Sequence, residues 1–331
     1  MPQPSYEYAL GRIGVLSTHL LSAAQIRRIA EASSTKEAMK LLLETGYGEN
    51  AAAEQETTTG DIDLLVRSQL QLTRKRVQEL TPDAALTGLF LLRVDTHNLK
   101  VLLKARLLGT PADAILQEGG NFSLDLLKDM VQTKYYEDLP PVYRKAMDEI
   151  EGSMAWEADP FRLSARLDKA LFEEAEKVLE EKQENGFICS YFSLWADFQN
   201  TISLIRAQNL NWERPQLSQV LVPCGDIPPQ VFEECLDVPA EQLGGRLNRG
   251  SHGSELLQAI NEFAQTGELA VLPKQMKDLL EGIIRRARWD THSLGPVVAF
   301  LLARETEAEA LRMIFGALEG HFEPQLPGIY A

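Results

Sequence analysis

Apolar residues recur along this chain at the three- and four-residue intervals of a helix, almost from end to end. Leu20, Leu21, Ala24, Ile26, Ile29 and Ala30 form one such stripe around polar Gln25, Arg27 and Arg28. Ser34 then stands where a helix cap belongs, with Glu37 three residues later to complete a capping box. That helix is expected to run through Ala38, Met39, Leu41, Leu42 and Leu43 and to stop at Gly46. Residues 61–79 carry the next stripe, Ile62, Leu65, Val66, Leu70, Leu72 and Val77, and Pro82 closes it. Residues 163–183 predict a long helix with Leu167, Leu171, Phe172, Ala175, Val178 and Leu179 inward. Its Glu173, Glu174, Glu176, Glu180 and Glu181 are assigned to a solvated face. Residues 273–287 and 291–319 read as further helices. Alternating runs of Val, Ile and Thr are almost absent and no hairpin signal stands out, so the fold class is all-α.

Turn chemistry punctuates the chain at Gly109-Thr110-Pro111 and again over 212–229, which holds Pro215, Pro223, Pro228 and Pro229. Those points mark off three parts, residues 1–110, 111–222 and 223–331. Two segments in them match. Aligning Asp95 with Asp197 places Asn98 on Asn200, Leu102 on Leu204, Leu103 on Ile205, Lys104 on Arg206 and Ala105 on Ala207. A third, decayed copy begins at Glu307, where Leu311 takes the place of Leu99, Ile314 of Leu102, Phe315 of Leu103 and Ala317 of Ala105. Ala310 stands where the Asn was and Gly316 where the base was. Three units of one helical repeat are therefore expected. Asp and Asn at i, i+3 share a helix face among apolar neighbours. Buried there, they need partners, so the signature is read as a polar clamp that fixes how the helix packs, not as a repeated catalytic acid.

Composition narrows the classes. Charged residues are 24% and hydrophobic ones 44%, enough for a sizeable core and against wholesale disorder. The net charge of −15 opposes nucleic-acid binding. The excess is uneven: 13 Lys and Arg meet 12 Asp and Glu in residues 1–110, but 11 meet 20 in 111–222 and 9 meet 16 in 223–331. Cys189, Cys224 and Cys235 form no Cys-x-x-Cys pair, which points to reduced cytosolic thiols and not to a disulfide framework or zinc site. The N-terminal Met1-Pro2-Gln3-Pro4-Ser5-Tyr6-Glu7 lacks the basic-then-apolar pattern of a signal peptide. The longest apolar run, residues 294–303, is half of the roughly 20 residues a membrane span needs.

Candidate chemistry is sparse. The segment from Gly245 to His252 has Walker-like glycine spacing but no phosphate-reaching Lys, and it is read as a loop. Asp95-Thr96-His97 and Asp290-Thr291-His292 repeat a tripeptide, yet the five His residues contain no i, i+4 pair to make a metal site. A hydrolase using Asp95 or Asp197 with His97 would require a deep pocket holding these groups. Arg285-Arg286-Ala287-Arg288 sits at a helix end, where cations favour the dipole; contact with an acidic partner or lipid headgroups is the lesser reading. No catalytic, cofactor-binding or metal-ligating residue is assigned.

The ordered motifs nevertheless resemble a known family, the C/d (AC39-like) subunit of V-type and archaeal-type rotary ATPases. Phe90 to Gly109 with Asp95-Thr96-His97-Asn98-Leu99-Lys100 carries the strongest likeness. Leu20-Leu21 through Glu44-Thr45-Gly46-Tyr47 fits the family's opening, Asp197 to Ala207 its second unit, and Pro296 to Ile314 with Glu305-Thr306-Glu307 its last. Ala310 departs from the Asn common there, and the segment from Gly244 to Gly253 matches poorly. The resemblance implies a funnel of three pseudo-symmetric helical units on the cytoplasmic face of a membrane. It would seat the central-shaft subunits on the proteolipid rotor ring and transmit torque, for a proton- or sodium-carrying ring. It implies no nucleotide, cofactor, small-molecule substrate or nucleic acid. The alternative is a general helical scaffold with no rotary role.

Overall fold

The computed structural model describes residues 4–48, 61–113, 115–152, 160–184, 186–324 and 326. Met1, Pro2 and Gln3, the start of the segment read above for a leader, lie outside them. Every regular element among the described residues is a helix. In chain order they are α1 (Tyr6–Ser17), α2 (Ala23–Ala30), α3 (Thr35–Glu44), α4 (Ile62–Leu80), α5 (Ala84–Leu108), α6 (Leu124–Thr133), α7 (Pro141–Glu151) and α8 (Pro160–Lys182). There follow α9 (Phe187–Asn209), α10 (Arg214–Val220), α11 (Pro229–Glu234), α12 (Ala240–Leu247), α13 (Gly253–Thr266), α14 (Val271–Ala287) and α15 (Gly295–Gly320). None of these helices is long and apolar enough to cross a membrane.

Packing divides the chain into two compact units. The first comprises the described residues of Met1–Thr87, Gln117–Ser123 and Arg286–Ala331; the second comprises those of Gly88–Leu116 and Leu124–Arg285. The first unit joins both ends of the chain. Its core gathers Ile26 and Ile29 of α2, Ala38 and Leu42 of α3, Val66 and Leu70 of α4, and Ala310, Leu311, Ile314 and Phe315 of α15. In the same unit, buried Arg74 of α4 reaches Glu305 of α15 at 3.1 Å and also donates to the carbonyl of Glu118.

The second unit holds the longer, more aromatic core. Phe90 lies 5.2 Å from Tyr191 and 5.5 Å from Phe192, ring centre to ring centre, and Trp195 meets Phe172 at 4.8 Å. The Arg93 guanidinium sits 5.6 Å from the Trp195 ring, a cation–π contact. Tyr143, fully buried, shares a 2.5 Å hydrogen bond with Thr96.

Several local expectations need correcting. Leu20 and Leu21 do not open the helical stripe: α2 starts at Ala23 with Ser22 as cap, paired with Gln25 in a capping box. Leu21 is buried, but its amide is used by another helix, as described below. Ser34 does cap α3, accepting from the Glu37 amide at 3.3 Å. The Glu37 carboxylate, however, accepts from Ser33 at 2.8 Å (amide) and 2.6 Å (hydroxyl), one residue earlier than a capping box requires. Glu174 leaves the solvated face, being 8% exposed, and Glu173 pairs with Arg166. Gly245 to Leu247 end α12, so the expected loop is confined to residues 248–252, and α15 begins at Gly295 because residues 290–293 are taken up by a turn.

Leu42 is fully buried at the centre of the first unit's core. Leu42→Ala is expected to cost about 2–5 kcal/mol, measured as the shift in a denaturant unfolding curve. An exposed control, Leu64→Ala, should cost far less, because Leu64 is 46% exposed.

Candidate functional site: the acid-bearing long helices

The three signature acids stand on three of the four longest helices, α5, α9 and α15, and all are buried: Asp95 at 0%, Asp197 at 3% and Glu307 at 0% exposure. Burying a carboxylate is costly unless donors replace its water. For Asp197 the donors are backbone amides. Asp226 N–H lies 3.2 Å and Ile227 N–H 3.1 Å from its two oxygens. Asn200, one turn on, makes a reciprocal pair with Val222: its amide group donates to the Val222 carbonyl at 2.9 Å and accepts from the Val222 N–H at 2.8 Å. Asp197 and Asn200 together thus grip one non-helical strap, residues 222–227.

Glu307 does the corresponding thing in the first unit. It accepts the Leu21 N–H at 2.6 Å and pairs with Arg304, itself buried, which donates to the His19 carbonyl at 3.2 Å. The two anchors share a register. Ile227 precedes the first residue of α11, Pro229, by two positions, and Leu21 precedes the first residue of α2, Ala23, by two. In each case the acid holds an amide just ahead of a helix N-terminus. Ala310, where Asn stood in the other copies, is buried in the apolar core and grips nothing.

A second correspondence lies at the other end of these helices. Gly109, Asn211 and His321 occupy equivalent repeat positions, and all three adopt left-handed backbone, with φ of 63°, 52° and 55°. Each is followed by an amide that bonds back across the helix end: Thr110 to Ala105 at 3.1 Å, Trp212 to Ala207 at 2.9 Å and Phe322 to Ala317 at 3.1 Å. This is a Schellman stop, made three times at one register. The sequence pattern marks the glycine but not the other two, because Asn is a weak signal for left-handed backbone and His a weaker one.

Asn98, Leu99 and Leu311 are fully buried. Lys104 is half-buried and Arg206 exposed, so the base at the ninth position faces outward. His97 places Nε2 3.2 Å from the Ile115 carbonyl, to which it donates.

Electrostatics separate two neighbouring carboxyls. Burial pushes Asp197 from 3.8 up to about 7, against the pull of the Ile227 and Asp226 amides. Burial also raises Asp226, but the Ser251 hydroxyl and amide hold it below its ordinary value. Opposed carboxyls of this kind can serve as an acid–base pair. Here Asp197 is 3% exposed and each of its oxygens accepts one backbone amide. Burial raises Cys224 to about 12, so it stays a neutral thiol and a poor nucleophile. A shallow depression of about 310 Å³ lies beside Gln208, Trp212 and Val238, and neither Asp95 nor Asp197 lines it. Among the described residues no group of three or more His, Cys, Asp or Glu is placed to hold a metal.

Long helices with internal acid anchors define a class: an all-helical protein whose buried acids Asp197 and Glu307 hold its own backbone. The family model described as "ATP synthase (C/AC39) subunit" matches residues 9–324. The C subunit of the A-type ATP synthase of Pyrococcus abyssi is 21% identical over 335 residues, covering 97% of this chain and 88% of its own length. That of Methanocaldococcus jannaschii is 20% identical over 340 residues, covering 97% and 84%. The C subunit of the V-type sodium ATPase of Enterococcus hirae is 22% identical over 246 residues, covering 74% of each. The chain belongs to the ATP synthase C/AC39 subunit family.

Three substitutions test the anchors. Glu307→Ala leaves the Arg304 charge and the Leu21 amide buried without their partner, and is expected to cost about 3–5 kcal/mol, read from denaturant unfolding. For Asp197 the proton is retained by the folded chain and lost by the unfolded one between about pH 4 and 7. Its contribution to stability therefore falls as pH rises through that window. Unfolding curves at pH 5 and pH 7.5 should show this decline in the wild type and a smaller one in Asp197→Asn. Gly225→Ala should also destabilise, because a Cβ there would collide with Asp197 Oδ1.

Proposed function

We propose that this chain is the coupling subunit of an A/V-type rotary ATPase or ATP synthase. In this reading it seats the central-shaft subunits on the proteolipid ring at the cytoplasmic face of the membrane and carries torque between them, with no catalytic step of its own. The observation that carries the reading is the family match over residues 9–324. The names of its relatives, from A-type synthases and a V-type sodium ATPase, point the same way. The anchors suit the task. A torque carrier must not creep under load, and close-packed helices tied by buried hydrogen bonds resist deformation. The reading includes three pseudo-equivalent units, residues 1–110, 111–222 and 223–331, arranged as a funnel. Asp95, Asn98, Lys104, Asp197, Asn200, Arg206, Glu307 and Leu311 are its signature. The shared Schellman stops and the common register of the Asp197 and Glu307 anchors support that division.

Charge supports a preferred seating of the shaft. Residues 1–110 are close to neutral while the later two parts are strongly acidic, so the field around the protein is asymmetric. On α8, Glu176, Glu180 and Glu181 are exposed.

Affinity purification of the tagged chain from its native membranes should recover shaft, ring and nucleotide-binding subunits in one complex. A complex lacking shaft and ring would favour the scaffold reading. Replacing Glu176, Glu180 and Glu181 by Gln should lower shaft affinity and flatten its salt dependence, measured by titration at several ionic strengths. Unchanged binding would exclude this segment as a contributor.

A further inference from the structure

The most exposed large apolar side chain among the described residues is Trp289, at 73%. It stands on the turn that joins α14 to α15, and that turn is pinned. Asp290 N–H bonds the Ala287 carbonyl at 3.0 Å, His292 N–H bonds the Asp290 carboxylate at 3.1 Å, and Gly295 N–H bonds the Ser293 hydroxyl at 3.1 Å. Ala287 and Leu294 bury the two ends of the turn. Gly295 is pressed so closely on the Ala287 carbonyl that any Cβ would overlap it. The indole is therefore held out in water by fixed backbone. It does not hang on a loose loop that could fold it away.

Beside it lie unneutralised cations. Arg285, Arg286 and Arg288 are exposed, and none has an ion-pair partner among the described residues. That is unexpected in the final third of the chain, where acids outnumber bases 16 to 9. Two acids lie nearby: Asp290 on the turn, whose carboxylate accepts the His292 amide and keeps its charge, and exposed Glu7 of α1, within Coulombic reach of His292. The Arg288 guanidinium lies 4.6 Å from the Trp289 ring centre, so charge and ring form a single face. In water such a face is costly: an apolar ring is left wet and like charges are left adjacent.

We propose that the Arg286–Arg288–Trp289 turn is a contact site for an anionic phospholipid surface. Guanidinium groups pair with phosphate through two parallel hydrogen bonds. An indole is most at home at the boundary between headgroups and acyl chains. A ring exposed at 73% stands clear of any groove, which suits a soft headgroup layer better than a protein surface that must match it in shape. The overall charge of −15 opposes approach to an anionic bilayer. At physiological ionic strength, however, charges more than about 8 Å away are screened. The residues in contact decide, and here three arginines outnumber the two acids Asp290 and Glu7. The inference stands on the turn alone and does not require the coupling role.

The experiment is flotation of the purified full-length chain with vesicles. Phosphatidylcholine vesicles are compared with vesicles rich in phosphatidylglycerol at physiological salt. Binding is expected only to the second. The double variant Arg286→Gln/Arg288→Gln is expected to lower it by about thirtyfold, each arginine near an anionic surface contributing about tenfold or less. Trp289→Ala should weaken it as well. All three positions are exposed, so thermal unfolding of the variants should match the wild type. Absence of binding to phosphatidylglycerol vesicles overturns the proposal. So does equal binding by wild type and variants. If the vesicles are ignored but the variants lose an acidic protein from the purified complex, the site is a protein contact and the lipid assignment fails. Loss of shaft and ring from that complex would bear on the coupling role instead and leave the vesicle result standing.

Discussion

A carboxylate withdrawn from water must be given donors, and Asp197 and Glu307 take backbone amides outside any helix, Glu307 with the Arg304 guanidinium besides. That requirement organises the fold. Asp197 takes two amides of the strap at 226–227, and Glu307 takes the amide of Leu21. Each strap can leave the helical ladder because a buried acid replaces the ladder's hydrogen bond. Each strap then delivers the chain to a helix start two residues later. An apolar residue at the acid's position would leave those amides buried and unmet, and the helix starts would lose their placement. The dependence also runs the other way. Asn200 shapes the same strap from one turn further along α9, and Gly225 leaves room for the Asp197 oxygen.

Much of the fold was legible in the chain's pattern. The stripes in 61–79 and 163–183 correspond to α4 and α8, and the pairing of Asp95 with Asp197 led to two buried acids on long helices. What periodicity could not see was where hydrogen-bond donors lie. Leu20 and Leu21 fit the α2 stripe by hydropathy, yet Leu21 must stay outside the helix for Glu307 to reach its amide. Glu174 looked like one of a solvated row, but α8 turns it inward to 8% exposure. Glu307 looked like a decayed copy because its Asn partner had become Ala310. In space the acid function persists while the amide function has been given over to the apolar core.

The acidic balance of the chain looks different once placed. Part of it is neutralised internally, as in Arg166 with Glu149 and Glu173, Lys100 with Asp168, and Arg106 and Lys134 with Glu151. These pairs are partly buried, Arg166 being 8% exposed and Glu151 14%, so breaking one would strand a charge away from water. They also leave the unpaired charges as the ones that partners feel. Among those are Glu176 and Glu180 of α8 and, on the opposite sign, the arginines at the end of α14.

The bond between Glu307 and Leu21 spans 286 positions of sequence. A ribosome making this chain releases Leu21 long before Glu307 exists. The first unit, which needs residues from both termini, cannot close until the last helix emerges, whereas the second unit is nearly continuous and is complete by Arg285. Closing a loop of that length costs about 2 kcal/mol more than closing one of about 30 residues. During synthesis the N-terminal helices therefore wait with their apolar faces uncovered. A chain cut short before α15 would keep a finished second unit beside an unfinished first one, the kind of species that chaperones hold and proteases remove.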